Sequence, residues 1–213
     1  MQEMSYDHIT EACLDAFQNP DLKALELLEL LMDRPGVPMH DPIHHYIMPA
    51  LLLTLAARAN GLDRAGLAGL LQVAEERARK LLPGFCGWWG ACGSAVGCGV
   101  FASVWTGSSP KKEDNWAQIN QFTARCLANV ATVNGPRCCK RTSYLALQAA
   151  IPAAREMFGL DLGEAGQPVC SWSHFNRECR KDGCPFYDRE QRGSHAHLRQ
   201  GVDMLAKKPE RAQ

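Results

Sequence analysis

Runs in which β-branched residues alternate with polar ones, the mark of a half-buried strand, are almost missing from this chain. Their scarcity excludes a sheet-based domain and leaves an all-α fold as the expectation. An excess of charge of one sign is missing too, since 23 Lys and Arg stand against 23 Asp and Glu. No global field therefore draws the chain to nucleic acid or to an anionic membrane surface. Met1 to Asp21 carries acids and no apolar core of signal-peptide type, so nothing points to export and the cytoplasm is the expected compartment. A phosphate loop G-x-x-x-x-G-K-[ST], a dinucleotide fingerprint after a strand and a G-x-S-x-G elbow are all absent, which gives no support to nucleotide binding or to a serine-hydrolase elbow.

Long uncharged stretches are scarce as well, with one exception. Gly87 to Gly107 is 21 residues without a charge, just long enough to span a membrane. It holds six glycines, two serines and a threonine, with Gly93 and Gly97 in GxxxG register. That composition suits a buried central helix, where small residues let backbones approach, better than a membrane span.

The chain does have cysteine, ten in all, and eight of these fall in three clusters: Cys86, Cys92 and Cys98; Cys138 and Cys139; Cys170, Cys179 and Cys184. So many thiols in a chain expected in the cytoplasm favour metal or redox use over structural disulfides. Cys13 and Cys126 stand alone in helix-like segments and read as small buried hydrophobes.

Turn and cap signals divide the sequence into helices near residues 5–17, 20–33, 42–59, 63–82, 89–106, 111–133 and 137–158. Asn19-Pro20, Asp41-Pro42 and Ser109-Pro110 each pair a capping side chain with a proline suited to a helix start, and Pro136 acts similarly. Pro49 and Pro152 fall inside helices and should kink or split them. Tyr144, Leu147, Ile151, Ala154 and Phe158 share one face, which should be core. The expected organisation is a helical domain over 1–158, then a linker and cysteine-rich segment over 159–213 packed on it. Residues 170–190 have few aliphatics, so this appendage needs a staple such as bound metal to fold. The basic tail, Lys207 to Arg211, reads as a solvated end.

Each cluster suggests its own chemistry. Cys92 and Cys98, six apart, would sit about 240° apart around a helix and would not hold one ion unaided. Cys86 precedes the helix, where a thiolate gains from helix amides. In Gly135-Pro136-Arg137-Cys138-Cys139-Lys140-Arg141 both thiols lie at a helix start beside three cations, so lowered thiol pKa values are expected. One of the pair should face a ligand while the other packs or resolves. Cys170-x8-Cys179-x4-Cys184-Pro185 offers three soft ligands suited to Zn²⁺ or an iron–sulfur cluster, with His174, or Cys138 or Cys139, as the fourth donor. His40, His44 and His45 group around the start of the third helix, where metal ligation or proton transfer competes with simple capping and packing. His8, His195 and His197 have no supporting pattern.

Three ordered signatures carry a family resemblance: Gly84-Phe85-Cys86-Gly87 through Gly90-Ala91-Cys92-Gly93, then Gly135 through Arg141, then Asn176-Arg177-Glu178-Cys179 through Cys184-Pro185-Phe186. With the His44-His45 segment they resemble the uncharacterised prokaryotic family called domain of unknown function 5714, over most of the chain. In that family similar domains occur alone or joined to methyltransferase-like regions. The resemblance implies a shared fold and cysteine pattern without supplying a reaction. Cys92-Gly93-Ser94-Ala95-Val96-Gly97 is also similar to C-G-x-x-x-G runs of redox-active proteins.

The combined expectation is an all-α multi-helix bundle with a glycine-rich buried central helix and a small C-terminal cysteine-rich appendage. It would bind metal through Cys170, Cys179, Cys184 and one of the adjacent pair, with Cys139 the first choice. Cys86 and Cys92 would sit nearby as cofactor-binding residues, and Cys138, Cys139, His44 and His45 are the catalytic candidates. The expected cofactor is an iron–sulfur cluster, with Zn as the alternative, and the partner is a small molecule or a redox protein. Two rival functions are a non-catalytic interaction protein with a structural zinc site and a metal-free thiol redox enzyme.

Overall fold

A computed structural model describes residues 6–189. Eight α-helices follow one another: α1 (Asp7–Ala16), α2 (Ala24–Met32), α3 (Ile43–Ala59), α4 (Arg64–Ala78), α5 (Phe85–Trp88), α6 (Gly93–Trp105), α7 (Trp116–Val130) and α8 (Cys139–Phe158). Two short 3₁₀ turns, Ser173–Phe175 and Lys181–Gly183, shape the last described segment. Among the described residues there is no strand, only an isolated bridge between Cys170 and Tyr187. The all-α multi-helix bundle is thus as the sequence predicts.

Helices α3 and α6 form the axis. Nearly every residue of α3 from Ile43 to Ala57 is buried, and α6 packs on α3, α4, α7 and α8. The glycines of α6 make this approach possible. A Cβ at Gly97 would lie 2.6 Å from the His45 carbonyl oxygen, and one at Gly99 would lie 2.1 Å from Thr123 Oγ1. No described helix is long and apolar enough to cross a membrane.

Pro49 and Pro152 do not split their helices, which run unbroken through both. In α3 the helical ladder would pair residue 49's N–H with the His45 carbonyl, and proline has no N–H to give. That carbonyl is the one Gly97 closely approaches, so the missing bond lies inside the α3–α6 contact.

Helix starts fall later than the proline signals suggest. Asp41 behaves as expected, since its Oδ1 accepts the Ile43 N–H at 2.8 Å. The chain leaving Pro20 instead turns once more before α2, where the Glu26 carboxylate accepts the Lys23 N–H at 3.0 Å. α7 begins at Trp116 rather than near 111, α6 at Gly93 rather than 89, and α8 at Cys139. Cys13, Cys98 and Cys126 are fully buried, as small hydrophobes would be.

The segment after Phe158 folds back onto the bundle. Trp172 and Phe186 are buried against Tyr144 of α8, with ring centroids 6.1 Å and 5.2 Å away. His40, before α3, adds a polar tie: its Nε2 donates to Asn176 Oδ1 at 3.3 Å and lies 3.6 Å from the Glu178 carboxylate. His195, His197 and the basic tail lie outside the described residues.

Candidate functional site

Three successive turns fold the appendage so that its cysteines border one cavity. The Cys170 N–H donates to the Phe186 carbonyl at 2.7 Å, tying the segment's two ends together. Between them, the Cys179 N–H donates to the Asn176 carbonyl at 3.1 Å and the Cys184 N–H to the Lys181 carbonyl at 2.8 Å. Sulfur takes part too, with Cys179 Sγ accepting the Lys181 N–H at 3.4 Å. Across from them Cys138 caps α8 in an extended conformation, φ −147° and ψ 105°. Cys138, Cys170, Cys179 and Cys184 consequently line one small cavity of about 20 Å³, walled by Tyr144, Trp172 and Phe186.

The fourth cysteine of this cradle is Cys138, whereas Cys139 was the first choice from sequence. His174 is exposed and does not line the cavity. As they stand, the thiols are not closed on a point: among the described residues no three or more His, Cys, Asp or Glu side chains are grouped to hold a metal ion. Binding an ion there would require these thiols to close on a common point and shed protons.

The expected lowering of the Cys138 and Cys139 pKa values is corrected by the structure. Burial pushes Cys138 up, against the Arg141 amide and guanidinium, and pushes Cys139 up to about 12. The Arg141 amide acts on Cys138 without forming a cap hydrogen bond of normal geometry. Cys170 is likewise pushed up to about 12 by burial, opposed by the Trp172 amide. Helix amides and cations are present as predicted, but desolvation of a thiolate outweighs them when no metal shares the charge.

Lys140, one of the three cations beside the paired thiols, is only 1 % exposed. Its ammonium donates to the Met32 carbonyl and lies 5.0 Å from the centre of the Trp172 ring. Burial lowers it to about 8, while Cys139, Asp33, Cys138 and Cys170 pull it upward. A buried cation thus stands behind the thiols, where it offsets part of the charge that four thiolates would bring together.

Next to the small cavity, at the α8 start, lies a larger cleft of about 620 Å³. His45, Cys86, Cys92 and Cys139 all line it, so the first and second cysteine clusters do converge. Cys92 caps the start of α6, and α5 brings Cys86 to the rim between Gly84 and Gly90, both with positive φ. The His45 ring lies directly over Gly93, where a Cβ would sit 2.1 Å from Nε2. Burial lowers the His45 pKa; the Leu81 backbone opposes this, although Nδ1 has no partner at hydrogen-bond geometry. Neutral imidazole beside thiols can accept a proton. Cys98 points away into the core, as the six-residue spacing predicts.

His44 does not join them. It is fully buried, its Nδ1 donates to the Asp41 carbonyl at 3.1 Å, and it lines neither cavity. Burial holds it well below the ordinary imidazole value, so it is a neutral core histidine. Cys138 and Arg141 line both chambers, which places the two cavities next to each other at the start of α8.

Neither a curated protein nor a solved structure is similar enough to the chain to count as a match. A family model does match residues 9–187, which take in all eight helices but the first two residues of α1 and all the cysteines of both chambers. The chain belongs to this family of unknown function, DUF5714.

Proposed function

We propose that the cradle of Cys138, Cys170, Cys179 and Cys184 holds a thiolate-ligated metal centre, that this centre is an iron–sulfur cluster, and that the protein is a cytoplasmic redox protein. The observation that carries the reading is the gathering of four cysteines, from two separate stretches of sequence, on one cavity wall that also borders a ligand-sized cleft. Four soft donors suit iron–sulfur clusters and zinc and disfavour hard cations. The Lys181 amide on Cys179 Sγ is of the kind that tunes a cluster's potential. Lys140 supplies the compensating buried charge.

The neighbouring cleft argues for chemistry beyond stapling. A cluster supplies single electrons when bound; the chain's own part is to bring a substrate against Cys86, Cys92, Cys139 and His45. His45 is placed to take up or return a proton there.

A single structural zinc is the second reading, and one observation favours it: the cradle's 20 Å³ is nearer the size of one ion than of a cluster. Purification without oxygen separates the two. Brown protein with iron and acid-labile sulfide supports the cluster, and colourless protein with one zinc per chain supports the staple. Cys179→Ser should lower metal content in either case, and unchanged content removes that residue from the site. Protein free of both metals, with a rapidly alkylated thiol, would overturn both.

A further inference from the structure

The large cleft has a pronounced chemical asymmetry. Not one of its lining residues is Asp or Glu, in a chain where acids equal bases. Its cationic side is built from Arg137 and Arg141 and from the starts of two long helices, α6 at Gly93 and Ser94 and α8 at Cys139 and Thr142. Unpaired amides at such starts favour negative charge.

Arg141 gives the independent sign of a ligand. It is 5 % exposed, and its Nη2 donates to the Pro136 and Asn134 carbonyls at 2.7 Å and 3.2 Å. Those bonds hold the guanidinium at the cleft, yet its Nε is buried without any hydrogen-bond partner. Arg141 also borders the small cavity, but in the cleft its spare donor meets no carboxylate, and such a wall favours an anion. The opposite side is apolar: Leu127 and Val130 from the end of α7, then Val133.

We propose that this cleft binds an organic anion, an oxyanion head joined to an apolar body. The head sits at Arg137, Arg141 and the paired helix starts; the body lies along Leu127, Val130 and Val133, in the cleft that Cys86, Cys92 and Cys139 also line. A volume of about 620 Å³ is far more than an inorganic oxyanion needs and falls in the usual range for small-molecule sites. The inference deepens the function proposed above by naming a substrate class, and it takes from that reading only the cleft as the place where substrate sits. Binding does not require a filled cradle.

Two probes with the same aromatic body isolate the head: 8-anilinonaphthalene-1-sulfonate, an anion, and N-phenyl-1-naphthylamine, its neutral counterpart. Equilibrium dialysis of the full chain without oxygen, with iron and zinc assayed in the same samples, should find one sulfonate bound per chain, about tenfold or more tighter than the amine. Arg137→Glu changes an exposed side chain and should erase most of that preference without altering helix content or affinity for the amine. Equal affinities for the two probes, or an unchanged preference in Arg137→Glu, overturns the proposal. Sulfonate binding by metal-free protein leaves the anion site standing while the metal reading falls, and metal without a sulfonate preference does the reverse.

Discussion

Gly97→Ala should destabilise the protein although alanine is the better helix former. In an exposed helix the exchange gains roughly 1 kcal/mol. At Gly97 the new Cβ would meet the His45 carbonyl oxygen at 2.6 Å, Pro49 Cδ at 3.1 Å and Met48 Cβ at 3.2 Å. The closest of these is backbone in the middle of a buried helix, so it cannot swing aside; α3 and α6 must part. Overpacking costs about 1–3 kcal/mol, and a clash with buried backbone falls in the upper part of that range, about 2–3 kcal/mol, which leaves a net loss of about 1–2 kcal/mol. For a chain of this size that lowers the midpoint of thermal unfolding by roughly 2–8 °C. Gly69→Ala is the matched control, because Gly69 is an exposed position inside α4 with nothing within 4 Å of its added Cβ. It should raise the midpoint by roughly 1–4 °C. The measurement is circular dichroism melting of the two variants beside the parent chain. If Gly97→Ala melts at or above the parent temperature, the close approach of α6 to α3 is not as described.

Three further outcomes are expected. Cys138→Ser should lose most of its metal while Cys139→Ser keeps it, as read by metal analysis of protein purified without oxygen; equal losses would mean that the adjacent thiols share one site. Trp172→Ala should free the appendage, since removing a buried tryptophan costs about 3–5 kcal/mol; trypsin would then cut at Arg177 and Arg180 much faster, while α1–α8 keep their helical signal. Lys140→Met tests the buried cation in chelator-treated, reduced protein. A folded pKa of about 8 lies below the ordinary 10.5, so the unfolded chain binds more protons between those values and the cost of Lys140 fades as pH rises through that window. The cost is about 3 kcal/mol at pH 7 and about 1 kcal/mol at pH 9.5. Cys139 and Cys170, each pushed up to about 12, stay protonated in both folded proteins over that range, so the difference in urea stability between parent and variant should shift by about 2 kcal/mol across it; a constant difference would show that Lys140 is not buried as a cation.

Seven of the helices were legible because their apolar periodicity is strong and each is separated by glycine, proline or a capping side chain; α5, a single turn at Phe85–Trp88, is too short to carry such a period and was not expected. Their starts were less so: a proline fixes one φ but leaves open whether the chain turns again, as it does between Pro20 and Ala24. The convergence of Cys170, Cys179 and Cys184 followed from a segment too poor in aliphatics to fold unaided. The choice between Cys138 and Cys139 did not, because cap and first helical residue differ by one backbone conformation that neighbouring residues do not specify. Lys140 carried a readable signal, standing four residues before Tyr144 on the face that Leu147 and Ile151 continue. The thiol pKa values could not be read from neighbours alone, since the depth of burial that decides their sign comes from the packing of the appendage.

Consecutive residues at the start of α8 share the work of enclosure: Cys138 borders both rooms, and Cys139 borders only the larger. Because one peptide group joins the two residues, a change in the backbone at that point reshapes the walls of both enclosures together.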